Sequence, residues 1–576
     1  MVVAMTATQN KVAGRFKIIE QFLADGMDHM FGNPGTVEQG FLEALESYPE
    51  MKYILALQES VAVLMADGYA RATQRPTLVQ LHSSPGIGNA VGALYQAKRG
   101  HAPLVVIGGD AGVRYMNMDA QMAADLVAMM EPVTKYATVV TDSRSLLRTL
   151  RRAIKIAATP PMGPVYVCLP MDILDEINNE PVFPTLIPST RVSPDDSTIA
   201  AAVDALLAAQ QPIIYIGDGI AYSGAHDALK EVAELLGADV YTVDAGDFNI
   251  DYDHPLYQGS TGHMFGNQSL PITKRGDVNL IVGTYMLPEV FPELGDIWNE
   301  TAKVIHFDLN AYEIAKNHRV DIAAVADPKC TLEKLVTAIK AKYTQANEDA
   351  VTSRIINAKN QKLAAFNIAR AANDQYQGAH PLHMSQFMRI LSEYLPADTV
   401  IFDEALTNSP EVTRYYPPHT PGSYYCTRGG SLGVGVPGAI GVKLADPSKI
   451  VIGFTGDGGG MYTIQALWSA ARHNIGSKIV VCNNGGYHLL QLNISAYWKE
   501  REMEGHTFPL SFDLSNPEIR FDLLAQAMGV DAVRVETEAE IEYAVKRMLA
   551  DDRPFLIDLK LQGNVHPELI GVKCGQ

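Results

Sequence analysis

The chain has 576 residues, 47% of them hydrophobic and 19% charged, and carries a formal net charge of −19. That composition describes a folded globular protein long enough for three or four domains, and the acidic balance argues against nucleic acid or an anionic membrane surface as a partner. Five widely spaced cysteines, Cys168, Cys330, Cys426, Cys482 and Cys574, form no CxxC and no pairing pattern, which fits a reducing cytosol. No stretch is apolar for long enough to span a bilayer. The opening MVVAMTATQNKVAGR lacks the regions of a signal peptide, and no repeat is evident.

From the N-terminus the pattern alternates helix and strand. Lys11 to Asp25 is predicted as an amphipathic helix with Phe16, Ile19, Phe22 and Leu23 on its buried side. His29 to Phe31 is a short strand, followed by the glycine-rich turn Gly32-Asn33-Pro34-Gly35-Thr36. Tyr53 to Leu57 is a second strand and Ser60 to Thr73 a helix. Glu59 thus stands where strand gives way to helix, a place where a Glu ordinarily serves the helix dipole. The strand Thr77 to Leu81 ends in His82-Ser83-Ser84-Pro85-Gly86-Ile87-Gly88-Asn89, again small residues before a helix. Leu104 to Gly109, Val139-Val140 and Gly163 to Pro170 complete a sheet, and the proline-containing Asn178 to Ser197 is a linker.

The middle of the chain repeats the alternation. Helices are predicted at Thr198 to Ala209 and Ala225 to Leu236, and strands at Ile213 to Ile216, Val240 to Thr242, Leu280 to Gly283 and Val304 to Asp308. This pattern predicts a second parallel sheet. Gly217-Asp218-Gly219 has no asparagine pair downstream and reads as a structural turn; no GxGxxG is present.

Thr344 to Gln377 is a polar helical connection. His380 and His383 have i, i+3 spacing but no third ligand, so they read as structural or surface residues. The strand Thr399 to Phe402 leads into a loop, Asp403-Glu404-Ala405-Leu406-Thr407-Asn408. Lys449 to Thr455 is a buried strand that stops at Gly456-Asp457-Gly458-Gly459-Gly460, read as a tight turn where backbone comes close to another group. Tyr462 to His473 has helical period, with Ile464, Leu467, Trp468 and Ala471 on one face, and the strand Ile479 to Cys482 ends at Asn483-Asn484. A strand–helix–strand crossover is right-handed, so both strands end at the same sheet edge, where open α/β sheets bind ligands. Asp457 and Asn484, 27 positions apart, can therefore meet. A carboxylate, an amide oxygen and glycine carbonyls form a hard-oxygen set for Mg²⁺ or Ca²⁺ rather than zinc. A metal-bridged diphosphate is the ligand this suggests. A helix at Arg520 to Gly529 and a strand at Phe555 to Lys560 close the chain.

The GDG turn joined to an asparagine pair at this separation resembles the signature of thiamine-diphosphate-dependent enzymes. LQESVAVLMADGYAR resembles the segment that carries that family's cofactor-activating glutamate, and GNPGT and LHSSPGIGN resemble stretches of its benzoylformate decarboxylases. The resemblance covers nearly the whole chain. It implies an α/β fold of three doubly wound parallel-sheet domains: pyrimidine-binding at 1–190, central at 191–345 and diphosphate-binding at 346–576. It implies thiamine diphosphate and Mg²⁺ as cofactors, with Asp457, Asn484 and the Gly486 carbonyl on the metal and Gly456, Gly458, Gly459, Tyr487 and His488 around the diphosphate. Thr407 would donate to the diphosphate, and Leu432 would bend the cofactor from beneath. Pro34 and Asn89 join Glu59 in the cofactor set. Glu59 would hydrogen-bond the aminopyrimidine and promote the imino tautomer that deprotonates C2, which needs a carboxyl at hydrogen-bonding range in an apolar pocket; Leu57 and Val61 are its apolar neighbours in the chain. His82 corresponds to an active-site histidine, and Thr36 to a serine that contacts the substrate carboxylate. Leu489, Leu490 and Asn493 would line the substrate pocket. His488 replaces a small residue, and Asn493 stands where benzoylformate decarboxylases are aromatic, which suits a smaller or more polar substrate.

The activity so implied is decarboxylation of a 2-oxo acid to an aldehyde, with carboligation when a second aldehyde intercepts. The enzymatic alternatives are an acetolactate-synthase-like, 2-hydroxyacyl-CoA-lyase-like or FAD-linked activity. A non-catalytic cofactor-binding scaffold is the alternative of a different class, and the joint presence of Glu59, Asp457 and Asn484 stands against it. The implied partners are small molecules and further copies of the chain: in this family the first domain of one subunit meets the last domain of another, so a dimer is the minimum and a tetramer usual. The central domain in some relatives binds FAD or a nucleotide. Benzoylformate decarboxylases also draw a second histidine from that domain; here Tyr285 to Glu289 holds none, and His263 and His306, the nearest in sequence, do not match.

Overall fold

The computed structural model describes residues 12–563; the expectations placed on the first eleven residues and on Cys574 lie outside them. The chain divides into two units, Met1–Ser189 and Thr190–Gln576.

The first unit is built on β1 (His29–Gly32), β2 (Lys52–Leu55), β3 (Thr77–His82), β4 (Leu104–Asp110), β5 (Tyr136–Val139) and β6 (Val165–Pro170). They form one parallel sheet in the order β2-β1-β3-β4-β6-β5. Helices cover both faces, so the inner strands read as continuous apolar runs; Val105, Val106, Val165 and Val167 are fully buried.

The second unit carries two more such sheets. The middle one contains β7 (Pro212–Ile216), β8 (Asp239–Thr242), β9 (Tyr257–Ser260), β10 (Val278–Val282), β11 (Lys303–Asp308) and β12 (Ile322–Val325). Its order, β12-β11-β10-β7-β8-β9, is that of a doubly wound dinucleotide-binding sheet. At its switch point, however, Gly219 N donates to Gly283 O at 3.0 Å, and a Cβ on Gly219 would lie 2.3 Å from Gly283 Cα. Backbone fills that crevice. Asp218 accepts from Gly246 N and Asp247 N at 2.8 and 3.0 Å, a turn-holding role.

The last sheet contains β13 (Val400–Glu404), β14 (Tyr424–Cys426), β15 (Val451–Gly456), β16 (Lys478–Asn483), β17 (Asp531–Val535) and β18 (Phe555–Lys560), in the order β14-β13-β15-β16-β18-β17. The helix Gln345–Asp374 leads into it. His383 caps the helix Met384–Tyr394 through Ser385 N and stacks on Tyr376 with centroids 3.9 Å apart. Among the described residues no helix is long and apolar enough to cross a membrane.

Two local expectations need correction. Asp403 and Glu404 belong to β13 rather than to a loop, because both are buried and held by hydrogen bonds within the sheet edge. Gly456 to Gly460 is not a turn: a helix begins at Asp457 and runs to Thr463, with a second, Ala466–His473, after it. Gly458 serves close packing, since a Cβ there would lie 2.3 Å from the Tyr487 ring.

Candidate active site

In the first unit the strand order reverses between β1 and β3, and a doubly wound sheet binds ligand at the carboxyl ends beside such a reversal. β1 delivers Asn33 to Thr36 to this edge, β3 delivers His82, and β2 leads to Glu59. Glu59 is the first residue of the helix Glu59–Thr73, whose N-cap Gln58 accepts from Val61 N. Its side chain is buried, and Oε2 accepts from Asn89 Nδ2 at 3.0 Å. Ser60 Oγ in turn donates to Asn89 O at 2.6 Å, so the helix Ser83–Arg99 grips the start of the glutamate's helix. Gly86 faces the carboxyl; a Cβ there would lie 3.0 Å from Oε1. Leu57 departs from expectation: it is 49% exposed and walls no apolar pocket in this unit, whereas Val61 is buried.

His82 closes β3. Its Nδ1 lies 2.9 Å from Glu38 Oε2, and Gly35 N donates to the same oxygen at 3.1 Å. Gly35 must be glycine, because a Cβ would fall 2.0 Å from the imidazole Cγ. Burial pushes the Glu38 carboxyl up, and the neighbouring His82 pulls it back down. With Nδ1 engaged by a carboxylate, Nε2 is the nitrogen left for chemistry. Pro34 and Thr36 stand exposed in the turn between β1 and the next helix. Glu38 is a residue the sequence reading missed; the only signal was an acidic side chain three positions after Gly35 in a site loop.

In the second unit the last sheet reverses between β13 and β15. A cavity of about 510 Å³ opens at that edge, walled by Thr407, Leu432, Gly456 to Gly459, Asn484, Gly486 to Leu490 and Asn493. Asp457 is buried; Oδ1 accepts from Gly458 N at 2.7 Å and Oδ2 from Gly485 N at 2.6 Å. Asn484 Oδ1 accepts from Gly486 N at 3.2 Å, which fixes the amide beside the carboxylate. Burial pushes the Asp457 carboxyl up, against these N–H donors and the nearby His488. A buried carboxylate short of positive charge, next to amide and carbonyl oxygens, is a fitting donor set for a hard divalent cation and its diphosphate. Among the described residues no cluster of three His, Cys, Asp or Glu gathers for a metal. His488 Nε2 lies 3.4 Å from Asn484 O, and burial lowers its pKa.

The opposite wall comes from the middle sheet: Thr242, Asp244, Thr261, His263, Met264 and Val290. His263, set aside in the sequence reading, therefore lines the same cavity as Asp457 and Asn484. Its loop is pinned by Gly262 N donating to Ser269 Oγ at 2.9 Å and by Ser269 Oγ donating to Glu289 Oε1 at 2.6 Å. His306 is buried elsewhere, 2.9 Å from Thr284 O, and burial pushes its pKa down to about 4.

Three family descriptions match the chain in order: the thiamine pyrophosphate enzyme N-terminal TPP binding domain over residues 14–129, the central domain over 199–335, and the C-terminal TPP binding domain over 407–559. The chain is 28% identical to a benzoylformate decarboxylase of Pseudomonas aeruginosa, with 93% of this chain and 96% of that protein covered. It is 27% identical to an acetolactate synthase large subunit of Lactococcus lactis, with 97% and 94% covered. Its fold superposes with a TM-score of 0.82 on the thiamine diphosphate-dependent 4-hydroxybenzoylformate decarboxylase of Rhodococcus jostii, at 26% identity and covering 96% of this chain and 99% of that one. Three family matches in register with three parallel sheets, and relatives aligned over almost their full length, make this chain a member of the thiamine pyrophosphate enzyme family.

Proposed function

We propose that the protein is a thiamine-diphosphate- and Mg²⁺-dependent decarboxylase of a 2-oxo acid, releasing an aldehyde and able to join a second aldehyde to the product. The observation that carries this reading over the acetolactate-synthase alternative is the His82–Glu38 pair, a proton carrier held at the end of β3, on the same sheet edge to which β2 leads Glu59. Asp457, Asn484 and the Gly486 carbonyl would hold the metal, and Thr407 and the backbone around Gly458 would take the diphosphate. When bound, the cofactor would supply a thiazolium electron sink for the bonding pair left behind as CO₂ departs. Glu59 would hold or give up a proton at its free carboxyl oxygen toward the cofactor's aminopyrimidine, while Asn89 keeps the other oxygen in place. Leu432, on the cavity wall, would support the cofactor. Thr36 donates its hydroxyl to the substrate carboxylate, and His82 Nε2 gives and takes the proton at the former carbonyl carbon and oxygen. His263 faces the substrate from the middle-sheet wall. The working unit in this reading is at least a dimer, with the Glu59 set of one copy completing the Asp457 set of another, and a tetramer is expected in light scattering.

A second reading, a carboligase acting on small 2-oxo acids, draws support from Asn493, whose Oδ1 is buried without a hydrogen-bond partner among the cavity's apolar side chains. One experiment separates the two. CO₂ release is followed with Mg²⁺ and thiamine diphosphate across pyruvate, branched-chain 2-oxo acids, benzoylformate and oxalyl-CoA, with products read by mass spectrometry. Aldehyde formation supports the decarboxylase. A joined product without free aldehyde moves the assignment to the carboligase, and inertness toward every donor overturns both.

A further inference from the structure

Leu432 sits in a segment that the chain goes to some length to immobilise. Gly433 has φ +92°, and a Cβ there would lie 2.7 Å from Tyr462 Cβ. A Cβ on Gly435 would lie 2.4 Å from Phe454 O. The segment is therefore pressed against β15 and the helix that begins at Asp457. Thr463 Oγ1 donates to Gly433 O at 2.5 Å, and Thr427 Oγ1 donates to Ser431 O at 2.9 Å. Upstream, Arg428 pairs with Asp218 at 3.1 Å and Asp244 at 2.7 Å.

At the centre of these contacts is a carboxylate with no part in the mechanism above. Glu404, at the end of β13, is 1% exposed. Its Oε1 accepts from Gly433 N at 2.5 Å, and its Oε2 accepts from Gly435 N at 2.7 Å and from Thr455 Oγ1 at 3.0 Å. The two backbone donors bracket Val434 and follow directly on Leu432. Thr455 lies two residues before Asp457. One side chain thus ties the Leu432 segment to the strand that presents the carboxylate of the diphosphate site. A carboxylate suits this because it alone offers two acceptor oxygens to two N–H groups; an amide of the same shape would set an N–H against one of them. Leaving such a group mismatched in the interior is costly, so the geometry is enforced in the protein alone.

We infer that Glu404 is a positioning residue that fixes the height of Leu432 in the cavity and locks it, through Thr455, to the end of the strand that leads into Asp457, so that the cofactor meets a preset support. This rests on the reading of Leu432 as the residue beneath the cofactor.

The test is Glu404→Gln in the full-length protein, read three ways beside Leu432→Ala. Hydrogen exchange without added cofactor should show the amides of Gly433 and Gly435 exchanging at least tenfold faster, with those of β16 unchanged. With thiamine diphosphate and Mg²⁺ bound, the near-ultraviolet circular dichroism of the cofactor should change in the same sense as in Leu432→Ala, and kcat should fall at least tenfold while KM stays within twofold. Unchanged exchange overturns the inference outright. Faster exchange with the cofactor signal altered only in Leu432→Ala overturns it while leaving the reading of Leu432 intact. Faster exchange with the signal unaltered in both variants overturns that reading and the inference with it. Should Glu404→Gln not accumulate folded, Thr455→Val removes only the hydroxyl and must show the same three effects in smaller measure; no effect in any of them overturns the inference.

Discussion

Replacing Glu38 with Gln removes one charge and almost no volume, and it probes the step on which the proposed chemistry turns. In the wild type the carboxylate lies 2.9 Å from His82 Nδ1 and is 4% exposed, so little water screens the pair. At an effective dielectric near 20, two opposite unit charges about 4 Å apart attract by roughly 4 kcal/mol. His82 carries a full positive charge only when it has taken a proton, and at the transition state that transfer is partial. About two-thirds of the attraction, roughly 2.7 kcal/mol, is then lost, which is about a hundredfold in rate. That falls within the range general acid–base groups usually contribute. The amide oxygen still accepts from Gly35 N, while its N–H₂ replaces a buried Oε1 that has no hydrogen-bond partner among the described residues, so folding is perturbed by about 1–3 kcal/mol. The assay is steady-state CO₂ release on the best substrate, with cofactor affinity measured alongside by fluorescence quenching. The expected result is kcat down about a hundredfold with cofactor affinity unchanged, since the proposed diphosphate set draws on Asp457 and Asn484 and not on Glu38. A kcat within threefold of wild type at intact affinity would show that the Glu38–His82 pair does not carry the proton.

The remaining predictions concern the cofactor, the metal, the cavity wall and stability. Glu59→Gln should bind thiamine diphosphate as the wild type does yet lose at least a hundredfold in rate; retained turnover would refute the assignment of Glu59. Dialysis against a chelator should abolish activity and Mg²⁺ should restore it, whereas Asp457→Asn should not be rescued at the same Mg²⁺ concentration, as read by cofactor fluorescence and activity together. His263→Gln should lower the rate about tenfold or more without weakening cofactor binding; full activity would mean that the middle-sheet wall only encloses. Asp308, at the end of β11, has its carboxyl pushed up to about 7 by burial. The folded protein therefore keeps a proton that the unfolded chain releases from about pH 4 upward, so this contribution is fully present in acid and is lost as pH rises toward 7. Asp308→Asn should leave denaturant stability unchanged near pH 4 and raise it by up to about 4 kcal/mol near pH 8; equal gains at both pH values would refute the buried-carboxyl account.

What the sequence disclosed follows the physics of parallel sheets. Strands buried on both faces announce themselves as apolar runs, which is why β15 and β16 were legible along with the Asp457–Asn484 pair their ends bring together. Three of the edge strands do not. β9, β12 and β14 are short and flank their sheets, and β12 alternates between half-buried and exposed residues, so no run marks it. The glycines after β15 misled for a related reason. Glycine reads as a turn former, yet none of Gly456, Gly458, Gly459 and Gly460 has a positive φ; Gly458 is glycine because the Tyr487 ring stands where a side chain would go, and Thr455 crowds Gly459. The same limit hid Glu38. Its partner His82 lies 44 positions away on a different strand end, and only the order β2-β1-β3 makes the two loops neighbours. His263 was obscured because its loop is placed by the Ser269–Glu289 contact, which no spacing predicts. In each case the pairing that makes chemistry is set by which strand ends share a crevice, and that is decided by sheet order rather than by any local run of residues.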